Sequence, residues 1–223
     1  MRVALPGKGS RRPAWAAILA VVALATVTLV AFAPLRERIL RSAGWALVAD
    51  EPVRPADIIV IALDSAGAGT LEAADLVQSG IANRVAVFSD PPSGDDLEFI
   101  RRGIPYDDWG ARQVRQLGWL GVSDVAKISR AGSGMQGIGQ LLQPWVDQHR
   151  FRSIVFVTTR DRSRRLQRVL AREMKGHPTH VTVRASRYSS FDPDRWWQTR
   201  GGIRTLLVEL QRLVLDFVRH PAS

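Results

Sequence analysis

The apolar positions of this chain follow two different patterns. Ala14–Ala33, AWAAILAVVALATVTLVAFA, is twenty residues without one charge or any polar face. A helix of that length rises about 30 Å, the thickness of a bilayer core. From Asp57 onward the pattern changes to short apolar runs alternating with amphipathic ones. DIIVIAL (57–63), RVAVFSD (84–90), VAKIS (125–129), SIVFVT (153–158) and HVTVRAS (180–186) read as strands. The first is nearly continuous in its hydrophobicity, as a strand covered on both faces should be. Between them, residues 70–80, 95–102, 108–120, 135–148 and 161–175 read as helices, and a last helix runs from Ile203 to about Arg219. In that helix Ile203, Leu206, Leu207, Leu210, Val214 and Phe217 keep the helical period and define the expected apolar face.

Strands separated by helices predict parallel pairing. The expected fold is therefore α/β: a Rossmann-like, three-layer open sheet, mostly parallel, preceded by one transmembrane helix. The expected organisation is a basic tail (1–13), a membrane span (14–33), a connector (34–56) ended by the prolines of EPVRPAD, and one α/β domain (57–223). Arg2, Lys8, Arg11 and Arg12 precede the span, and Arg36, Arg38 and Arg41 follow it with only Glu37 against them. The basic tail modestly favours a cytoplasmic amino terminus and a domain outside the cytoplasm. A cleaved signal peptide is the rival, since Ala31-Phe32-Ala33 has the small-x-small form, but the apolar run is long and Pro34 would follow the cut.

Charge changes the picture only a little. The chain of 223 residues carries 31 Lys and Arg against 21 Asp and Glu, a formal +10. Arginine is spread along the whole length instead of gathering in one strip, so anionic lipid or phosphate is expected as partner ahead of nucleic acid. There is no cysteine, which excludes disulfides, thiolate nucleophiles and Cys-ligated zinc. His177 and His180 flank Pro178 without accompanying acids, and no metal site is expected there.

In open parallel sheets ligands bind beyond the carboxyl ends of the strands, which singles out three turns. LDSAGAGT after the first strand offers Asp64, placed where a carboxylate can act as a base, bind a cation, or be a simple turn residue. Gly132-Ser133-Gly134-Met135-Gln136-Gly137 after the third strand fits G-x-G-x-x-G, the pattern of a pyrophosphate resting on a helix amino terminus, and equally a flexible glycine loop. VTTRDRSRRL after the fourth strand offers Thr158 or Thr159 as a cap, with Arg162 and Arg165 near enough to grip phosphate or carboxylate. Arg160, Arg164, Arg168 and Arg172 are expected to form a solvated face, and Trp196 and Trp197 a packed cover over the sheet edge.

Several of these segments together resemble the envelope-associated YdcF-like family, the ElyC/SanA/YdcF domain. ADIIVIAL matches its opening strand, AADLVQSGIANRVAVFSD the next helix and strand, FVTTRDRSRRL its V-T-S-x-x-H-x-x-R-A segment, and RWWQTRGGIRTLLVELQRLVLDF its closing Trp and helix. The resemblance covers about Trp45 to Phe217. It implies a Rossmann-like domain behind a membrane helix, acting in peptidoglycan or lipid-linked glycan biogenesis. On the family pattern Gly69 stands where an arginine is usual, Gly134 where a threonine is, Gln136 where a glutamate is, and Arg162 where a histidine is. Thr158, Thr159 and Arg165 keep the pattern. Losing Glu and His removes groups that move protons at neutral pH, while anion binding survives both changes.

The expected function is thus a single-pass membrane protein binding a phosphate-bearing or anionic envelope molecule or lipid, with Thr158, Thr159, Arg162, Arg165, Ser133, Gln136 and Asp64 around it. A catalytically degenerate domain is one version of this expectation. A nucleotide-cofactor enzyme using GSGMQG for NADP or S-adenosylmethionine, and a non-enzymatic envelope scaffold using the Trp-rich segment, stand as alternatives.

Overall fold

The computed structural model describes residues 18, 19, 21, 22, 33–130 and 138–221. The chain divides into two units, Met1–Ser42 and Ala43–Ser223. Most of the expected membrane span lies outside the described residues, and among those described no helix is long and apolar enough to cross a membrane. Helix α1 spans Ala33–Trp45, and its residues up to Ser42 belong to the first unit.

The second unit is built on five strands: β1 (Ile58–Ile61), β2 (Val85–Ser89), β3 (Val125–Ser129), β4 (Ser153–Thr158) and β5 (His180–Ala185). Their order is β3-β2-β1-β4-β5, and all four pairings are parallel. Helices α2 (Ala66–Gln78), α3 (Gly94–Arg101), α4 (Trp109–Trp119), α5 (Ile138–His149), α6 (Arg160–Glu173) and α7 (Arg200–Arg219) complete it. This is a Rossmann-like α/β sheet, entirely parallel where the sequence predicts a mostly parallel one.

The apolar run of β1 explains the layering. Ile58 and Val60 face one core, with Leu142 and Val146 of α5 and Leu166 and Leu170 of α6. Ile59 and Ile61 face the other, with Ala73 and Leu76 of α2 and Leu117 of α4. Successive side chains of a strand point to opposite faces, so a run of four apolar residues is the signature of a sheet buried on both sides. All four are at most 1% exposed.

Helix α2 begins four residues before its expected start. Ser65 turns the chain by donating to the Ala62 carbonyl at 2.5 Å. Gly69 then lies so close to Ser65 and Ile61 that any Cβ there would collide with both side chains. A glycine that reads as a loop residue is in fact the contact that lets the helix press on β1.

Helix α7 departs from its expected face. Its buried residues are Leu206, Glu209 and Leu213; the two leucines form, with Leu47 and Phe191, a third small core against Trp196 and Leu210. Ile203, Leu207, Val214 and Phe217 are exposed. The reason lies in the partner: α7 packs beside the arginine-rich α6, so the residues turned inward must include carboxylates. Arg168 accordingly does not join a solvated face. Its Nε pairs with Asp216 Oδ2 at 2.8 Å, its guanidinium lies 3.5 Å from the centre of the Phe217 ring, and its side chain is 10% exposed. Arg160, Arg164 and Arg172 are half-buried as well, and Arg164 donates to the Val48 carbonyl at 2.7 Å.

Candidate functional site

The strand order reverses between β1 and β4, and the turns leaving these two strands meet across the resulting crevice. Such switch points are where open parallel sheets bind ligands. From β4 comes Thr158, 1% exposed, whose carbonyl accepts from the Ser186 amide at 2.7 Å. Thr159 is the N-cap of α6 by backbone geometry, yet its hydroxyl caps nothing. The cap is supplied from elsewhere: Ser189 Oγ accepts from the Arg160 amide at 3.2 Å. Thr159 Oγ1 is left buried without a hydrogen-bond partner.

One turn further along α6, Arg162 reaches across the crevice. Its Nη1 lies 2.9 Å from Asp64 Oδ2, so the turns after β1 and β4 are joined by a charge pair. On its other side Arg162 Nε faces Asp161 at 3.5 Å and Glu209 Oε1 at 3.6 Å. Arg165 Nε faces Glu209 Oε2 at 3.4 Å, and Arg212 Nη1 approaches Glu209 Oε1 to 2.6 Å. Glu209 is 3% exposed, so three arginines surround one buried carboxylate from the last helix. Arg162 Nε and Glu209 Oε2 are buried and make no hydrogen bond. The cluster is matched in charge but short of hydrogen bonds, a costly arrangement away from water.

The structure therefore brings together Thr158, Thr159, Arg162, Arg165 and Asp64 of the expected set. Ser133 and Gln136, with the whole Gly132–Gly137 motif, lie outside the described residues. Sequence reasoning missed Glu209 and Arg212. A glutamate flanked by Leu206, Leu210 and Leu213 on the helical period is the signal that could have found Glu209, because an acid amid an apolar face needs a buried cation.

Beside this cluster a cavity of about 230 Å³ opens beyond β1 and β2, lined by Asp64, Asp90, Trp109, Gln113 and Arg130 above Phe88. Its frame follows from local chemistry. Asp108 caps α4 by accepting from the Ala111 amide at 2.6 Å. Its second oxygen accepts from Ser89 Oγ at 2.7 Å and from the Asp90 amide at 2.9 Å. One carboxylate thus fastens the start of α4 to the end of β2. Gly110 permits the close approach, since a Cβ there would stand 2.5 Å from the Phe88 carbonyl oxygen. Tyr106 Oη donates to the Asp90 carbonyl at 3.1 Å. Desolvation, and then the charges of Asp108, Asp96 and Asp90, push its phenol above the usual value, so it stays a donor. Arg130 Nε pairs with Asp90 Oδ1 at 2.7 Å. Ala66, the first residue of α2, has φ of 44°, a left-handed conformation that non-glycine residues adopt at a cost.

No family model matches the chain, and no curated protein matches it. Among solved structures the chain is similar to a universal stress protein from Archaeoglobus fulgidus, with 13% identity over 57% of this chain and 92% of that one, and a TM-score of 0.35.

Proposed function

We propose that this chain is a membrane-anchored protein of the cell envelope whose α/β domain binds a phosphate-bearing small molecule or lipid headgroup at the crevice between β1 and β4. One observation carries the reading. At the start of α6 the buried Thr159 hydroxyl and Arg162 Nε lack hydrogen-bond partners, and the outer edge of the same guanidinium is held by the half-exposed carboxylate of Asp64. Asp64 is the displaceable member: its side chain is 47% exposed, against 4% for Glu209. An exposed ion pair is worth at most about 1 kcal/mol, so a phosphate can take its place on Arg162 at small cost. Glu209 stays behind as the fixed countercharge that aims Arg162 and Arg165. Binding before turnover is the role these groups suit, because guanidinium does not release protons at neutral pH.

The membrane part of the proposal is supported by the uncharged run Ala14–Ala33. The envelope part is supported by the order and spacing of the YdcF-like segments in the sequence.

Two measurements test the reading. A reporter fused after Ser223 that is active only outside the cytoplasm is expected to be active; a cytoplasmic signal sinks the envelope assignment. Inorganic phosphate is expected to raise the melting temperature of the full-length protein, and Arg162→Ala to abolish that rise. An equal rise in the variant rejects the crevice as the anion site.

A further inference from the structure

The cavity beside the crevice has a chemistry different from the arginine cluster. Gln113 is 7% exposed and lines it, yet among the described residues no group hydrogen-bonds its carboxamide. Asp90 gives one carboxylate oxygen to Arg130, and its other oxygen receives no hydrogen bond from any described residue. A side-chain amide that lines a cavity without a partner in the protein offers both a donor and an acceptor to whatever fills that cavity.

We propose that this cavity seats one hydroxylated sugar ring. The lining is balanced in charge: Asp90 is met by Arg130 and Asp64 by Arg162, which favours a neutral occupant over an ion. It combines acceptors (Asp64, Asp90) with a donor (Arg130), and Gln113 supplies both. Vicinal hydroxyls each donate and accept, and they fit such a lining on adjacent atoms. Trp109 stands at the rim, 61% exposed, with the Arg112 guanidinium 4.9 Å from its ring centre. The apolar C–H face of a sugar ring complements the electron-rich face of an indole. At about 230 Å³ the space is below the ~300–1,000 Å³ of pockets for drug-sized ligands, and suits one ring, not a dinucleotide. The inference goes beyond the phosphate reading and stands without it, since the ring carries no charge.

A glycosyl and a ribosyl group share this chemistry, and uncharged probes separate them. Saturation-transfer NMR on the full-length protein in detergent micelles, with methyl N-acetylglucosaminide and with uridine at millimolar concentration, is expected to show saturable binding of at least one. Binding of the glycoside alone assigns a glycan, and of uridine alone a nucleotide. Gln113→Ala and Trp109→Ala are each expected to weaken that binding about tenfold, while phosphate still raises the melting temperature. Trp109 is largely exposed, so its replacement does not put the fold at stake. Absence of saturable binding by both probes overturns the proposal, as does binding that neither substitution weakens. Loss of the phosphate response alone counts against the crevice reading and leaves this one intact.

Discussion

Arg162 and Asp64 join the turns after β4 and β1 across the point where the strand order reverses, with Nη1 and Oδ2 2.9 Å apart. The pair is partly exposed on both sides, so it contributes little to stability. Asp64→Asn is therefore expected to change unfolding free energy by less than about 1 kcal/mol. It also removes the carboxylate that competes for Arg162, and phosphate is expected to bind more tightly. Denaturant unfolding and a phosphate titration of the melting temperature measure the two effects separately.

Glu209 should behave in the opposite way. It is 3% exposed and faces Arg162, Arg165 and Arg212. Removing one partner from a buried ionic cluster typically costs about 3–5 kcal/mol, because the charges left behind stay desolvated. Glu209→Ala is expected to lose stability in that range, and Glu209→Gln less, since the amide keeps an acceptor. Equal, small losses in both would mean that solvent reaches the arginines.

The contrast between these two acids marks how far the sequence could be read. The sheet was legible because each strand is a separate apolar run between helical patterns, and β1 alone, apolar at every position, implies cover on both faces. The turn after β4 was legible because threonines and arginines stand where a strand becomes a helix. The apolar face of α7 was misread because periodicity ranks positions by hydrophobicity, whereas the partner surface on α6 is basic and draws Glu209 and Asp216 inward. Gln113 and Asp90 were passed over for a related reason. Their role depends on Asp108 fastening α4 to β2, a contact made across nineteen positions of sequence and carried by no local motif.

Acid should act through Asp216. Burial by itself would raise its pKa, but hydrogen bonds from Arg168 and Arg172 and their charges outweigh it and hold the carboxyl below its ordinary 3.8. A group with a depressed folded-state pKa stabilises fully above its unfolded value and loses that contribution as pH falls through the folded one. Stability is thus expected to be insensitive to Asp216 near neutrality and to decline below about pH 4. Asp216→Asn should be less stable than wild type at pH 7, with the gap narrowing toward pH 2 in unfolding curves collected across that range.

Two glycines in α4 offer an internal comparison that ties the fold to the cavity. Gly118 has nothing within 4 Å of the position a Cβ would take, and its φ is not in the left-handed region. Gly118→Ala should stabilise the helix by about 0.5–1 kcal/mol, since alanine loses less backbone freedom on folding. Gly110 sits eight residues earlier in the same helix, and its Cβ would stand 2.5 Å from the Phe88 carbonyl oxygen. That neighbour is strand backbone fixed by pairing to β3, so the helix must move instead, and overpacking of this kind costs about 1–3 kcal/mol. The movement lifts Trp109 and Gln113 together from the end of β2 and strains the bonds from Asp108 to Ser89 and Asp90. Gly110→Ala is therefore expected to lower stability and to weaken sugar-ring binding in the same variant, whereas Gly118→Ala raises stability and leaves binding unchanged. Helix propensity alone predicts a gain in both, so opposite signs, read from denaturant midpoints, identify the α4–β2 contact as what holds the cavity in shape.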